Sequence, residues 1–197
     1  MKFSFNLLFL TLLISNFALA RPTPAIVTFN QIDSSCHITF HNQHYRCALG
    51  RTGVTENKKE GDGATPIGKF KIRKIYYRPD RIDPHEVTTN IPLVALTKND
   101  GWCDDVNSAE YNKAVKLPFA ASHENLWRED HVYDIIAVIG YNDDPVVKGK
   151  GSAIFLHIAR ENYTPTAGCI ALNKDDLLKF INQFNHANKI IIERGVK

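Results

Sequence analysis

The chain has 197 residues, 44% of them hydrophobic and 23% charged, with 24 Lys and Arg against 21 Asp and Glu. So even a balance excludes the strongly basic face that nucleic-acid binding requires. The one basic run, Arg73 to Arg81, reads as solvated charge at a strand end rather than as a polyanion site.

The first 20 residues look like a leader. Lys2 supplies a positive start, Leu7 to Ile14 is apolar except for Thr11, and Ala18-Leu19-Ala20 is a small-residue cleavage site ahead of Arg21. The apolar stretch falls short of the about 20 residues that a membrane span needs. Residues 1–20 are therefore expected to be removed, leaving an exported protein in the periplasm or cell envelope with no membrane span. Residues 21–197 suit one domain with a substantial core, and a monomer is expected. Loss of Lys2 leaves 23 basic against 21 acidic side chains.

Ala25 to Phe29 alternates and is rich in β-branched residues, so it is expected to be a strand. Cys36 and Cys47 flank a hairpin that turns through His41-Asn42-Gln43-His44. Four cysteines in an oxidising compartment allow three complete pairings, among which sequence does not choose. Facing positions on a hairpin favour Cys36–Cys47. Cys103 and Cys169 then either bridge or stay free, and both are expected to stay free. Gly50 to Gly63 is a loop dense in glycine and charge, expected to be mobile. Thr65 to Gly68 is a turn leading into one strand from Lys69 to Tyr76, with Phe70, Ile72 and, after a slip, Ile75 pointing inward.

Pro79 to Asn90 is irregular, and Ile91 to Leu96 reads as a short strand. Asn99 to Ser108 is polar and turn-prone around Trp102, which with Cys103 and Asp104 is a candidate cleft wall. Ala109 to Val115 is expected to be a short helix capped by Ser108, and Leu126-Trp127 a helical turn over the core. Val132 to Gly140 is the most strand-like run, and Ala153 to Ile158 a buried strand. From Asn173 the period changes to helical: Leu177, Leu178, Ile181 and Phe184 share one face, and Asp176 completes an N-cap pattern. Ile190 to Ile192 closes the chain as a strand. The fold class is mostly β (α+β) with one clear helix.

Chemistry concentrates in Gly151 to Leu172. An apolar run ends in His157, a loop follows, and Thr166-Ala167-Gly168 delivers Cys169 into a second apolar patch. His157 and Cys169 are 12 positions apart, which suits two adjoining elements joined by a loop. A thiol beside an imidazole is a nucleophile with its base. The other histidines carry less. His37, His41 and His44 near Cys36 and Cys47 lack the tight paired spacing of a zinc site, nothing local ties His123 or His131 to chemistry, and no metal or cofactor is expected.

The stretch resembles the catalytic signature of the L,D-transpeptidases, the YkuD-like domain, in which a histidine ends one strand and a Ser/Thr-x-Gly-Cys turn follows one loop later. Gly61 to Phe70, with Thr65-Pro66-Ile67-Gly68-Lys69-Phe70, is similar to that family's Thr-Pro-x-Gly-x-Phe hairpin. The resemblance implies a YkuD-like β-sandwich with the helix near the catalytic turn, Cys169 as nucleophile and His157 as base, the ring held by a carbonyl near Ile158. It also implies oxyanion donors around Gly168-Cys169, each typically worth ~3 kcal/mol of barrier, and a thiol whose pKa is lowered by the imidazolium. Thr166 would brace the turn or bond the substrate, and Arg160 and Trp102 are further candidate substrate contacts. The implied partners are peptidoglycan stem peptides. The implied reaction is attack at the L-centre of the third residue, release of D-alanine, and transfer of the thioester to an amine, giving a 3→3 cross-link. The chain departs from the pattern at Ala167 and Ala171, where many members carry basic residues. Two other functions compete: a hydrolase that trims stem peptides or detaches wall-linked protein, and a non-enzymatic wall-binding protein with Cys169 in a disulfide.

Overall fold

Small and β-branched residues alternate from Ala25, and in the computed structural model, which describes residues 22–195, they form β1 (Ala25–Phe29). The expected leader 1–20 and the start at Arg21 lie outside the described residues. β2 (Cys36–Phe40) and β3 (Gln43–Cys47) form the hairpin. His41 and Asn42 both adopt positive φ, 46° and 62°, as a two-residue turn between right-twisted strands requires. That turn sets Cys36 opposite Cys47, and the two are joined as a disulfide with Cα atoms 4.9 Å apart.

β4 (Val54–Thr55) and β5 (Thr65–Pro66) pair in parallel. The single strand expected over Lys69 to Tyr76 is two, β6 (Gly68–Phe70) and β7 (Ile72–Tyr77), which join different sheets, so the inward period slips between them. β8 (Leu93–Ala95) is followed by three short strands that the sequence did not announce: β9 (Asp100–Cys103), β10 (Ala114–Lys116) and β11 (His123–Asn125). Ala109 to Val115 is thus not a helix. Seven residues nucleate a helix poorly, Asn112 takes a positive φ of 58°, and β10 pairs back onto β9. Leu126-Trp127 likewise forms no helical turn; Leu126 instead donates its N–H to Asp100 O. The Val132 to Gly140 run begins as a 3-10 turn, and its strand is β12 (Ile135–Ile139). β13 (Phe155–Ile158), β14 (Ile170–Leu172), α1 (Lys174–Gln183) and β15 (Ile190–Arg194) complete the chain.

Two five-stranded sheets organise the molecule, β3-β2-β1-β15-β6 and β14-β13-β12-β7-β8. Side chains of one parity on the second sheet, among them Ile75, Ile135, Ala137, Leu156, Ile170 and Leu172, meet the first sheet and α1 in the main core. The opposite parity, Tyr76, Ile136, Val138, Phe155 and Cys169, builds a second cluster with Leu96, Leu126, Val132 and Tyr133. β12 is apolar throughout because both its faces are covered. The helix start follows its sequence signal: Asp176 donates its N–H to Asn173 Oδ1 at 2.8 Å, a cap worth about 1 kcal/mol. Phe180, beside the expected Leu177 and Ile181, is fully buried against Phe40, with ring centroids 5.4 Å apart. Among the described residues, no helix is long and apolar enough to cross a membrane.

Candidate active site

His157 and Cys169 come together by strand parity. β13 and β14 run parallel, with Leu156 opposite Ile170 and His157 opposite Ala171. Successive side chains point to opposite faces. Since Leu156 and Ile170 enter the main core, Phe155, His157, Cys169 and Ala171 all face the second cluster. There His157 and Cys169 line a cavity of about 420 Å³. Both are deeply set, 4% and 8% exposed.

The turn before Cys169 is held from three sides. Thr166 Oγ1 donates to Cys169 O at 2.6 Å and accepts from Gly168 N–H at 3.1 Å, so its part is to brace the turn. Thr166 N–H donates to Leu49 O, and Arg51 N–H to Thr166 O. Gly168 has φ 139°, and a Cβ there would stand 2.8 Å from Ala64 O, on the lead-in to the Thr65-Pro66 hairpin. The upstream motif is thus a wall against which the cysteine turn is pressed. Of the two oxyanion donors suggested by sequence, Gly168 N–H is engaged by Thr166, while Cys169 N–H has no partner among the described residues.

His157 Nδ1 lies 2.9 Å from Ile158 O. A carbonyl can only accept, so Nδ1 carries the proton and Nε2 is the basic nitrogen. Burial keeps this ring neutral, pulling its pKa down to about 4 against the Ile158 bond. Burial, and then the Glu124 carboxylate, push the Cys169 thiol up to about 12, against Phe155 N–H and Lys58. The thiol donates to Ala153 O at 3.2 Å and accepts from Phe155 N–H at 3.3 Å. At neutral pH the pair is therefore thiol and imidazole, not the low-pKa ion pair expected from sequence. Cys103 is free and fully buried on β9, and Cys169 is free, so no bridge joins them.

Ala167 lines the cavity without charge, and Ala171 lies beside His157. Ala171 is 1% exposed and exchanges backbone hydrogen bonds with Ala48. Arg51, Lys58, Arg128 and Arg160 all line the cavity. Lys58, 4% exposed, is fixed by Asp62 Oδ1 at 2.6 Å and Lys59 O at 2.8 Å. Asp62 also takes the N–H groups of Lys59 and Ala64, so the Gly50–Gly63 loop is stapled rather than loose. Arg160 reaches Asp130, which Arg128 already holds, only at 3.4 Å.

Trp102 does not line this cavity. It packs edge-on against Phe155, centroids 5.1 Å apart, and fronts a separate cavity with Tyr76 and Tyr141. Its Nε1 donates to Asn112 Oδ1 at 3.0 Å. That asparagine, 6% exposed, also accepts from Ala153 N–H and donates to Tyr141 O and Asn142 O, tying three segments together near Cys169. Sequence reasoning places it inside the helix expected over Ala109 to Val115 and gives it no role. Sequence reasoning also passed over Glu124 and Tyr133. Tyr133 sits edge-on to His157 with centroids 5.3 Å apart, and its hydroxyl donates to Glu124 Oε1 at 2.7 Å. His123 lines the cavity with Nδ1 2.8 Å from Ala121 O, whereas His131 pairs with Asp134 outside it. Two cavity atoms, Asp104 Oδ1 and Ser152 Oγ, are sealed from solvent with no hydrogen-bond partner among the described residues. Among the described residues, no group of three His, Cys, Asp or Glu is placed to hold a metal ion.

The chain matches the model of one family, the L,D-transpeptidase catalytic domain (YkuD), over residues 36–192. No curated protein matches it. Among solved structures it is similar to L,D-transpeptidase 3 from Mycobacterium tuberculosis, at 14% identity and a TM-score of 0.39 over 87% of this chain and 61% of that one. An L,D-transpeptidase from Mycobacterium smegmatis stands at 11% and 0.37, over 87% and 59%. The helical cell shape determining protein Pgp2 from Campylobacter jejuni stands at 18% and 0.40, over 89% and 49%. The chain spans between 49% and 61% of the length of these three proteins.

Proposed function

Since the chain belongs to the L,D-transpeptidase catalytic-domain (YkuD) family, we propose that it is an exported cysteine acyltransferase acting on peptidoglycan stem peptides. The observation that carries this reading is the meeting of Cys169 and His157 on one face of β13 and β14, at a cavity flanked by four cationic side chains. Cys169 attacks the carbonyl of the third stem residue. His157 Nε2 takes the thiol proton and returns it to the departing D-alanine amine, acting as base and then acid. With both groups neutral at rest, proton transfer accompanies the attack: the sulfur's electrons enter the new C–S bond as the proton leaves. Cys169 N–H is the available donor to the oxyanion, and Arg51, Lys58, Arg128 and Arg160 supply the field that holds anionic peptide carboxylates. An amine of a second stem then takes the acyl group, giving a 3→3 cross-link.

Incubation of the purified protein with disaccharide tetrapeptides, followed by mass spectrometry of the products, tests the reading. Cross-linked dimers and free D-alanine are expected, and both should vanish in Cys169→Ala. Tripeptide without dimer would replace transfer by hydrolysis, and activity in Cys169→Ala would remove Cys169 from the chemistry.

A further inference from the structure

The cavity is lined by charges of both signs: the cations Arg51, Lys58, Arg128 and Arg160, and the acids Glu60, Asp104 and Glu124. The thiol senses both signs: after burial, Glu124 raises its pKa and Lys58 lowers it. The cations Lys58 and Arg128 are committed to Asp62 and Asp130. Asp104 and Glu124 have no ion-pair partner among the described residues. Pairing of β11 with β9 puts Glu124 opposite Trp102 and His123 opposite Cys103, and Asp104 N–H bonds Ser122 O, so Asp104 and Glu124 lie on one face as diagonal neighbours, near enough for the Asp104 charge to act on Glu124. Tyr133 fixes Glu124 through Oε1 and leaves Oε2 without a hydrogen bond. Asp104 Oδ1 is sealed and unpartnered, as is the Oγ of Ser152, a residue 7% exposed on the same cavity. Two unpaired carboxylates held together beside a nucleophile repel one another and favour a cation between them.

We propose that Glu124 and Asp104 form the acceptor-amine site, holding the ammonium group of the incoming nucleophile beside the Cys169 thioester, with Glu124 taking its proton. The inference rests on the reading of Cys169 as an acylated nucleophile. The ammonium gives one proton to Glu124 Oε2. The neutral amine then attacks the thioester carbonyl, the C–N bond forms and the C–S bond breaks. The second amine proton passes through His157 to the departing sulfur, which restores the thiol, and the proton on Glu124 leaves to solvent. Burial, against the Tyr133 hydrogen bond, raises the Glu124 pKa, which makes it a stronger base than a solvated carboxylate. Glu124 is faced by Tyr133, Arg128, Asp104 and Arg160. The acceptor class this selects is a primary amine that is cationic in solution, such as the side-chain amine of a diamino acid, in preference to water.

The test follows the intact protein by quenched-flow mass spectrometry in wild type, Glu124→Gln and Asp104→Asn. A tetrapeptide is the donor, and glycinamide or a diamino-acid stem tripeptide the acceptor. Acyl-enzyme is expected to form in Glu124→Gln at least as fast as in wild type, because a negative neighbour of the thiol is gone. Its transfer to amine is expected to slow by ~100-fold, the scale of a lost general base. Asp104→Asn is expected to raise the KM for amine about tenfold, with kcat changed less. Wild-type transfer rates in Glu124→Gln, equal slowing of acylation and transfer, or loss of hydrolysis with transfer intact would each overturn the amine site. Absence of any acyl-enzyme in wild type would overturn the acyltransfer reading itself, and this inference with it.

Discussion

Replacing Gly168 with alanine should loosen the cysteine turn by an amount that follows from two separable effects. The backbone there has φ 139°, where a residue with a Cβ costs about 1–3 kcal/mol. The new methyl would also stand 2.8 Å from Ala64 O and 3.4 Å from Ile154 Cδ1, an overlap costing a further ~1–3 kcal/mol. Together they come to about 4 kcal/mol, or a fall in melting temperature of roughly 8–16 °C for a domain of this size. Gly149 is the control, since its φ is 78° and nothing lies within 4 Å of where its methyl would stand, so Gly149→Ala should cost only ~1 kcal/mol. Thermal and urea unfolding of both variants, with the initial rate of Cys169 acylation, give the comparison. Gly168→Ala should be the less stable by about 3 kcal/mol and the slower to acylate. Equal stabilities would refute the contact between the hairpin lead-in and the catalytic turn.

Three further outcomes are expected. The His157 pKa of about 4 lies below the ordinary value of 6.5. Its neutral burial therefore stabilises the fold fully above pH ~6.5, and that contribution, on the order of 3 kcal/mol, is lost as pH falls towards 4. Urea unfolding of wild type and His157→Asn at pH 7 and 4.5 checks this: the variant should lose less on acidification. Asn112→Ala leaves Trp102 Nε1, Ala153 N–H and two carbonyls without their partner, so a loss of about 2–4 kcal/mol is expected by chemical denaturation. The Cys36→Ala, Cys47→Ala double variant frees a hairpin closed over a separation of 11 residues and should lose about 2–3 kcal/mol. Its donor acylation rate should stay within a few-fold of wild type once folded.

Local chemistry was the legible part of the sequence. The Asn173 and Asp176 cap, the alternation of β1 and the apolar run of β12 each declare themselves within a few residues, because their causes lie within those residues. Cys169 and His157 were legible as a pair because a strand, a loop and a small-residue turn all carry local signals. The three-stranded β10-β9-β11 sheet was not, since each strand is three or four residues long and held by pairing rather than by its own period. Asn112 likewise means nothing until Trp102, Tyr141 and Ala153 arrive around it. The cations that line the cavity come from a loop a hundred residues upstream and from Arg128 and Arg160, and charge in a loop reads the same whether it faces solvent or a cavity. The thiol and imidazole pKa values also depend on burial that only the packed second cluster creates.

The most direct measurement is the mass of the intact protein after mixing with a tetrapeptide donor in the absence of acceptor, with the modified residue mapped by peptide fragmentation. A single acyl adduct on Cys169, formed with release of D-alanine and absent from Cys169→Ser, is the expected result. An unmodified Cys169, or an adduct on any other side chain, would contradict it.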